Sequence, residues 1–158
     1  MSELNSHSSD RLLVLLVLIV IVLSIAGLAQ GNIIQVHPGD NIQMAISSAQ
    51  PGDTIEVFSG LYKESILLNK SLVLRGIGSP VIDGLNNENA ICIKENGTAI
   101  MNLTIINASV GINAISSNNN IISNSIEACR IGILLAGCLM TACDNNIINA
   151  NKICTNAK

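Results

Sequence analysis

The second half of the chain repeats itself at a regular spacing, and this repeat restricts the fold more than any other feature. Ile91, Ile112 and Ile133 align at a 21-residue spacing. Further alignments at the same spacing join Ala90, Gly111 and Gly132; Ile93, Ala114 and Leu135; Ile100 and Ile121; Met101 and Ile122; and Ile105 and Ile126. A short period of this kind is typical of solenoids, in which each repeat forms one turn and packs only on its neighbours.

The next copy is displaced further along the chain. The phrase NNNIISNSI, residues 118–126, recurs as NNIINANKI, residues 145–153. We align Ile121 with Ile147 at a spacing of 26 and Ile126 with Ile153 at 27, which predicts an insertion of about five residues between Leu135 and Asn145. In a solenoid such insertions form loops on one face.

Each repeat contains Ile-rich segments of three to five residues, which Gly, Asn and Ser separate. These lengths and β-branched residues predict short strands bounded by turns, and a 21-residue unit leaves no room for a regular helix with its connections. The leucine-rich repeat is the rival at this period, but its consensus phrase is absent. Three short parallel strands per turn, a parallel β-helix of about four to five coils, is the predicted fold.

This fold gives the asparagines two roles. Asn tolerates positive φ at a tight corner better than other residues except Gly. Equivalent Asn side chains in successive coils can also hydrogen-bond to one another along the stack. Asn124 and Asn151 are the best candidates for such a ladder, and the alternative is that they are solvated turn residues.

The region before the repeats predicts a cap and the first coils. Residues 40–50 place Ile42, Ala45, Ile46 and Ala49 on one face of a helix, with Asp40 and Gln43 as a capping box and Pro51-Gly52 as the stop. Strands are predicted in TIEVFSG, SILLN, SLVLRG and PVIDG within residues 51–89, and residues 90–158 form the Asn/Ile-rich coils. No C-terminal cap is visible, so the sequence predicts a truncated solenoid or end-to-end association through the last coil.

Residues 1–29 differ from the rest. Arg11 precedes a run from Leu12 to Ala29 without a charged residue. A cleaved signal peptide ending at Ala29 is the favoured interpretation, a retained membrane anchor is the second, and a buried core helix is the third. The first two export residues 30–158, and the second attaches them to a membrane through residues 12–29. We expect an extracellular, cell-surface or periplasmic location.

Composition narrows the function classes. The net charge is −3 and no Lys/Arg cluster is present, so nucleic-acid binding is not expected. The aromatic residues are Phe58 and Tyr62, so the core must be aliphatic. The five cysteines, at positions 92, 129, 138, 143 and 154, are interpreted as core fillers, with a Cys138–Cys143 bridge as the alternative. Glycosylation sequons begin at Asn69, Asn96, Asn102 and Asn107.

The segment Gln35 to Gly84 carries a family resemblance. Its phrases GDNIQMAI, PGDTI, GLYKE, KSLVLRG and VIDG resemble the opening of right-handed parallel β-helix proteins of the pectate-lyase-like superfamily. The style is similar to the NosD-like group and to carbohydrate-binding and sugar-hydrolysis modules. The resemblance implies a right-handed coil, and we interpret the acidic residues of these phrases as turn formers and coil-edge residues: Asp53, Glu56, Glu64 and Asp83.

The resemblance also implies sites to look for. Lyases and hydrolases of this scaffold use clustered carboxylates, often with calcium or an Arg or Lys base, and the weak candidates here are Glu127, Arg130 and Asp144. NosD-like proteins are associated with copper, for which Cys138, Met140 and Cys143 are weak soft-ligand candidates. Because both sets are weak, the sequence predicts no catalytic residue, no bound metal and no cofactor.

Three functions therefore stand at the level of the sequence. The favoured one is a non-catalytic exported or membrane-anchored module that binds a polysaccharide or another envelope component. The alternatives are a polysaccharide lyase or hydrolase, whole or as a fragment, and copper handling.

Overall fold

A computed structural model describes Arg11, Val14 and residues 31–137 and 143–154. Residues 31–158 form one compact unit, distinct from residues 1–30. The predicted signal or anchor segment lies outside the described residues, apart from Arg11 and Val14. Among the residues that are described, no helix is both long and apolar enough to cross a membrane.

The unit is a parallel β-solenoid of about five turns with one short helix, α1. The helix covers Ile42–Ser48. The strands are β1 Ile33–Val36, β2 Thr54–Phe58, β3 Leu61–Lys63, β4 Ile66–Leu68, β5 Val73–Ile77, β6 Val81–Ile93, β7 Ala99–Met101, β8 Thr104–Ala114, β9 Asn120–Ile122, β10 Ser125–Leu135, β11 Ile147–Asn149 and β12 Lys152–Cys154. The predicted parallel β-helix is confirmed, whereas its right-handed winding stays a prediction.

The strands stack into two parallel sheets. Sheet A has the order β1-β2-β5-β7-β9-β11, and sheet B has the order β12-β10-β8-β6-β3, with β4 also paired to β6. In the later coils the two sheet-B segments of a turn join into one long strand, which bends where Asn107 and Ala128 adopt positive φ. The turns that begin with β2, β5, β7 and β9 thus carry three strand segments each, as the sequence predicts.

The strand register confirms the 21-residue repeat. Ile91 pairs with Ile112 and Ile112 with Ile133, while Ile100 pairs with Ile121. One predicted alignment is wrong by a residue, because Ile121 pairs with Ile148 and Ile147 pairs with Asn120. The spacing is therefore 27 residues on both sheets of the last coil. This is six more than the 21 residues of the repeats, so the insertion is six residues long.

Aliphatic side chains stack inside the coil. Ile100 and Ile121 are fully buried on sheet A, as are Ile105 and Ile126 on sheet B. Full burial of one such side chain contributes roughly 1.5–3 kcal/mol relative to exposure. The repeats are therefore stabilised by an aliphatic stack, whereas in the early coils the core also contains an aromatic side chain, the buried Tyr62.

The helix is capped by a residue of its own flank and by the next coil, and neither contact is the predicted capping box. Asn41, not Asp40, is the N-cap, since its side chain accepts a hydrogen bond from Met44 N at 2.7 Å. Gln43 bonds instead to the backbone of Leu67. Glu64 accepts from Ile42 N at 2.9 Å and Gln43 N at 3.0 Å, so its negative charge lies at the helix N-terminus.

Lysine 70 completes this arrangement at the other end of α1. Its Nζ donates to Ile46 O, Ser47 O and Ala49 O at 3.1, 2.7 and 2.7 Å. A cation at a helix C-terminus satisfies carbonyls that have no partner inside the helix. The coil that follows α1 therefore holds the helix at both ends. Glu64 has a structural role there, in contact with the helix N-terminus.

Asparagine side chains continue the hydrogen bonding between coils at the corners. Asn124 Oδ1 accepts from Leu103 N at 3.1 Å, and Asn151 Oδ1 accepts from Asn124 N at 2.9 Å and from Asn124 Nδ2 at 3.1 Å. We call this column the asparagine ladder. It confirms the predicted pairing of Asn124 with Asn151.

A second asparagine ladder lies at the other end of the sheet-A strands. Thr98 N donates to Asn119 Oδ1 and Asn119 N donates to Asn146 Oδ1, both at 2.9 Å. Positive φ occurs at other asparagines: Asn86, Asn102, Asn107, Asn118 and Asn145. Asparagine therefore has both predicted roles, positive φ at a corner and hydrogen bonding along the stack, but at different positions.

Replacing Asn124 with Ala removes the acceptor of the buried Leu103 amide and the donor to Asn151. Because a buried amide then lacks a partner, we expect the free energy of unfolding to fall by about 3 kcal/mol. Chemical denaturation measures this change. Asn149→Ala is the control, since Asn149 is exposed on β11, and an equal loss in both variants would contradict the ladder.

Asp53 makes stability depend on pH. Hydrogen bonds from Gln50 N and Asn32 N, both at 2.7 Å, hold the pKa of this carboxyl below its ordinary value of 3.8. The ionised form therefore stabilises the fold above pH 3.8, and this contribution is lost as the pH falls through the lowered folded-state pKa.

We expect Asp53→Asn to melt at a lower temperature than the natural chain at neutral pH, and the gap to narrow as the pH falls below 3.8. Thermal unfolding across this range measures the gap. Asp144→Asn, at an exposed position, is the control. A gap that is constant with pH would contradict this role of Asp53.

Candidate functional site

A polar groove of about 390 Å³ runs across the corner between sheets A and B. Its lining residues are Gly76, Gly78, Ser79, Asn102, Leu103, Thr104, Ser123 and Ser125. They come from three successive coils, because Gly76 lies near the end of β5, Asn102 follows β7 and Ser123 follows β9. The groove is therefore a product of coil stacking and not of one loop.

The repeat shapes the groove floor. Gly76, Asn102 and Ser123 occupy equivalent positions, each one residue after the paired column of Arg75, Met101 and Ile122. A Cβ at Gly76 would lie 2.0 Å from Asn102 O, so the two coils approach too closely there for any side chain. Asn102 and Ser123 take φ values of 59° and 58°, which turn the chain sharply between the sheets.

The asparagine ladder lies on the buried side of the groove and holds its lining residues in place. Asn124 lies between the lining residues Ser123 and Ser125, and its side chain is buried. Its Oδ1 fixes the backbone N–H of Leu103, another lining residue. Lining atoms held in this way are preorganised, which reduces the ordering cost of binding.

The chemistry of the groove is neutral and hydrogen-bonding. Ser79, Thr104, Ser123 and Ser125 provide hydroxyl groups and Asn102 an amide, while no lining residue of the described chain carries a charge. Both aromatic side chains lie elsewhere: Tyr62 is buried, and Phe58 stacks on His37 with ring centroids 4.5 Å apart. The polar groups that the groove presents are therefore hydroxyls and an amide.

The weak catalytic candidates are not brought together. Glu127 accepts from Ser125 Oγ at 2.8 Å and lies 4.0 Å from Lys152 Nζ. Arg130 is exposed on the later segment of β10, where its guanidinium donates to Ser109 Oγ at 3.2 and 3.3 Å. Asp144 precedes β11 of the other sheet, and its backbone N–H donates to Ser117 Oγ. None of these contacts joins two of the three candidates, and none joins two carboxylates.

Two ion pairs occur in the part of the chain that the structure describes. One is the Lys152–Glu127 pair, and the other joins Arg75 to Glu56 on neighbouring coils. Glu56 and Arg75 are register partners, so this pair holds β2 to β5. Glu56 therefore has a structural role, but it lies in the middle of β2 and not at a coil edge.

The candidate copper ligands lie at the insertion. Cys138 and Met140 are outside the described residues, whereas Cys143 Sγ lies 3.4 Å from Ala114 O. Within residues 31–137 and 143–154 no group of three His, Cys, Asp or Glu side chains could hold a metal ion. The thiol of Cys129 is buried, as a core filler should be, and burial raises its pKa, while Cys154 is exposed.

The insertion begins and ends on the same neighbouring coil. Ala136 N donates to Ala114 O at 3.0 Å, and Asn118 N donates to Asp144 O at 2.9 Å. The 21-residue spacing of the repeats therefore still holds at residue 136. The longer spacing of the last coil has begun by residue 144. The predicted position of the insertion is confirmed.

The groove was not predicted from the sequence. Its signal is the recurrence of a small or amide residue before a hydroxyl residue at one corner, as in Asn102 with Thr104 and Ser123 with Ser125. Taken singly, these residues are ordinary turn formers. Only the stacking of three coils shows that their hydroxyl groups face one space.

Comparison with known proteins gives one informative relative. A cell surface glycoprotein of Methanothermus fervidus is 38% identical to this chain over 109 residues. The match covers 65% of this chain and 18% of the relative, so the chain corresponds to less than a fifth of that protein's length. No family model matches the chain, and no solved structure matches it.

Proposed function

We propose that this chain is a non-catalytic module of the cell surface that binds a neutral glycan in the polar groove. The single observation that carries this proposal is a preorganised, uncharged groove lined by hydroxyl and amide groups from three coils. Neutral sugars present hydroxyl groups, which pair with such donors and acceptors without a charged partner.

Two observations support the surface location. The relative of this chain is named a cell surface glycoprotein, and the sequence before Gln30 has the pattern of an export signal or anchor. A solenoid suits an envelope role because its stacked coils give a stiff rod with repeated outer faces.

The size of the groove is consistent with a short saccharide. Its volume of about 390 Å³ lies at the lower end of the roughly 300–1,000 Å³ of small-molecule sites. Because no aromatic platform lines it, we expect modest affinity that depends on the number of hydroxyl contacts. Acidic polysaccharides are disfavoured, since no cation lines the groove within the described chain.

We expect the purified module to bind neutral oligosaccharides of hexose or N-acetylhexosamine, and Thr104→Tyr to weaken this binding by at least about tenfold because the ring fills the groove. A glycan array followed by titration calorimetry measures the effect. Thr104 opens β8 and is half-buried, so the larger side chain has solvent beside it.

Ile106→Tyr is the matched control. Ile106 is also half-buried on β8, two residues further along, and does not line the groove. The control should keep the affinity of the natural chain. Equal loss in both variants, or no binding to any neutral glycan, would refute the proposed function.

A further inference from the structure

Two of the four glycosylation sequons lie on one corner of the solenoid, where sheet B returns to sheet A. Asn69 lies between β4 and β5, and Asn96 lies between β6 and β7. Strands β4 and β5 pair with β6 and β7, so these two loops lie beside each other in successive coils. Both asparagines are exposed. We call residues 69–72 and 94–98 the sequon corner.

The side-chain amide of Asn96 is fixed through its oxygen and not through its nitrogen. Its Oδ1 accepts a hydrogen bond from Ser117 N of the following coil at 2.7 Å, whereas its Nδ2 donates to none of the described residues. An N-linked glycan is joined to the amide nitrogen, and the product keeps the carbonyl oxygen as an acceptor. The contact with Ser117 therefore persists when Asn96 carries a glycan.

The side chain of Asn69 makes no hydrogen bond to a described residue either. The rest of its sequon contacts the protein, because Lys70 Nζ donates to carbonyls at the end of α1 and Ser71 Oγ donates to Gly97 O at 3.0 Å. These two contacts fix the loop and leave Asn69 at its surface. A glycan on Asn69 therefore replaces no contact of the fold.

The other two sequons have different surroundings. Asn102 and Thr104 both line the polar groove, so a glycan on Asn102 would fill it. Asn107 is half-buried at the bend of β8, and a Cβ at Gly84 of the preceding coil would lie 3.0 Å from Asn107 O. A bulky glycan needs an exposed attachment point, which Asn107 does not provide.

The sequon corner and the groove lie at opposite ends of the sheet-A strands. Asn96 precedes β7 and Asn102 follows it. Strand β7 is three residues long, which corresponds to roughly 10 Å at about 3.3 Å per residue. A glycan on Asn96 therefore extends from one corner and leaves the groove at the other corner open.

We propose that the sequon corner carries N-linked glycans on Asn69 and Asn96, while Asn102 stays unmodified. In the transfer, the amide nitrogen attacks C1 of a lipid-phosphate-linked oligosaccharide. The C1–Nδ2 bond forms and the C1–O bond to the phosphate breaks. A base of the glycan transferase accepts the proton that the nitrogen loses, and the lipid phosphate leaves with the electron pair. The inference rests on the surface location and the open groove of the proposed function.

The test uses the full chain, followed by a flexible Gly/Ser tag with one Asn-Gly-Thr sequon, in a host that N-glycosylates exported proteins. Mass spectrometry of the glycopeptides should show a glycan on the tag, on Asn69 and on Asn96. Asn69→Gln and Asn96→Gln should each lose one glycan mass, whereas the matched controls Asn102→Gln and Asn107→Gln should lose none. A glycan on the tag with Asn69 or Asn96 unmodified would overturn the inference, as would a glycan on Asn102.

The tag and the groove separate the two ways in which the account can fail. An unmodified tag would show that the chain is not exported, which overturns the surface location and the glycan sites together. Titration calorimetry then compares the glycosylated chain with the double variant Asn69→Gln and Asn96→Gln. We expect the two to bind a neutral oligosaccharide with affinities within about twofold, and binding at least about tenfold weaker in the glycosylated chain would contradict the separation of corner and groove. If neither protein binds, the proposed function fails while the glycan sites stand on the mass spectra.

Discussion

The parallel pairing of each coil with the next is the interaction on which the rest of the structure depends. Backbone hydrogen bonds hold the strands in register, but they stop where a strand stops. At the corners of sheet A, asparagine amides continue the pairing, so Leu103 N and Thr98 N have acceptors even though they lie outside the strands. A chain with few large side chains can therefore form a regular rod, because every coil is fixed to its neighbour at the strands and at the corners.

The groove follows from the same constraint. Where the chain turns from sheet A to sheet B, Gly76 and Asn102 O come so close that no side chain fits between the coils. The hydroxyl residues beside this contact, Thr104 and Ser125, then line a common space. A groove of this kind needs no special loop, since repetition of the same corner over three coils is sufficient.

Much of the fold could be predicted because its determinants are local and periodic. The alignment of Ile91 with Ile112 and Ile133, the position of the insertion and the pairing of Asn124 with Asn151 all follow from counting residues. The N-cap of the helix, Asn41, is local to the helix, but the other contacts at its N-terminus could not be predicted from that stretch alone. Glu64 on the next coil accepts from Ile42 N, and Gln43 bonds to Leu67. Such contacts appear only when the coils are stacked.

The site was harder to predict than the fold for a similar reason. The sequence directed attention to charged and sulfur-containing residues, yet Glu127 and Arg130 bond to serines of their own sheet and Asp144 precedes a strand of the other sheet. The groove instead uses residues that are common in any turn. To predict the groove from the sequence, one must know which residues of successive coils are paired. That spacing differs between the early coils, the repeats and the coil after the insertion.

Hydrogen exchange of single backbone amides, measured by NMR, tests the central claim most directly. Thr98, Leu103, Asn119 and Asn124 donate to asparagine side chains of the following coil, whereas Asn146 and Asn151 have no such acceptor in the described chain. The account predicts that the first four amides exchange only on global unfolding and that the last two exchange rapidly. Rapid exchange at all six positions would contradict the claim that asparagine ladders hold the coils together.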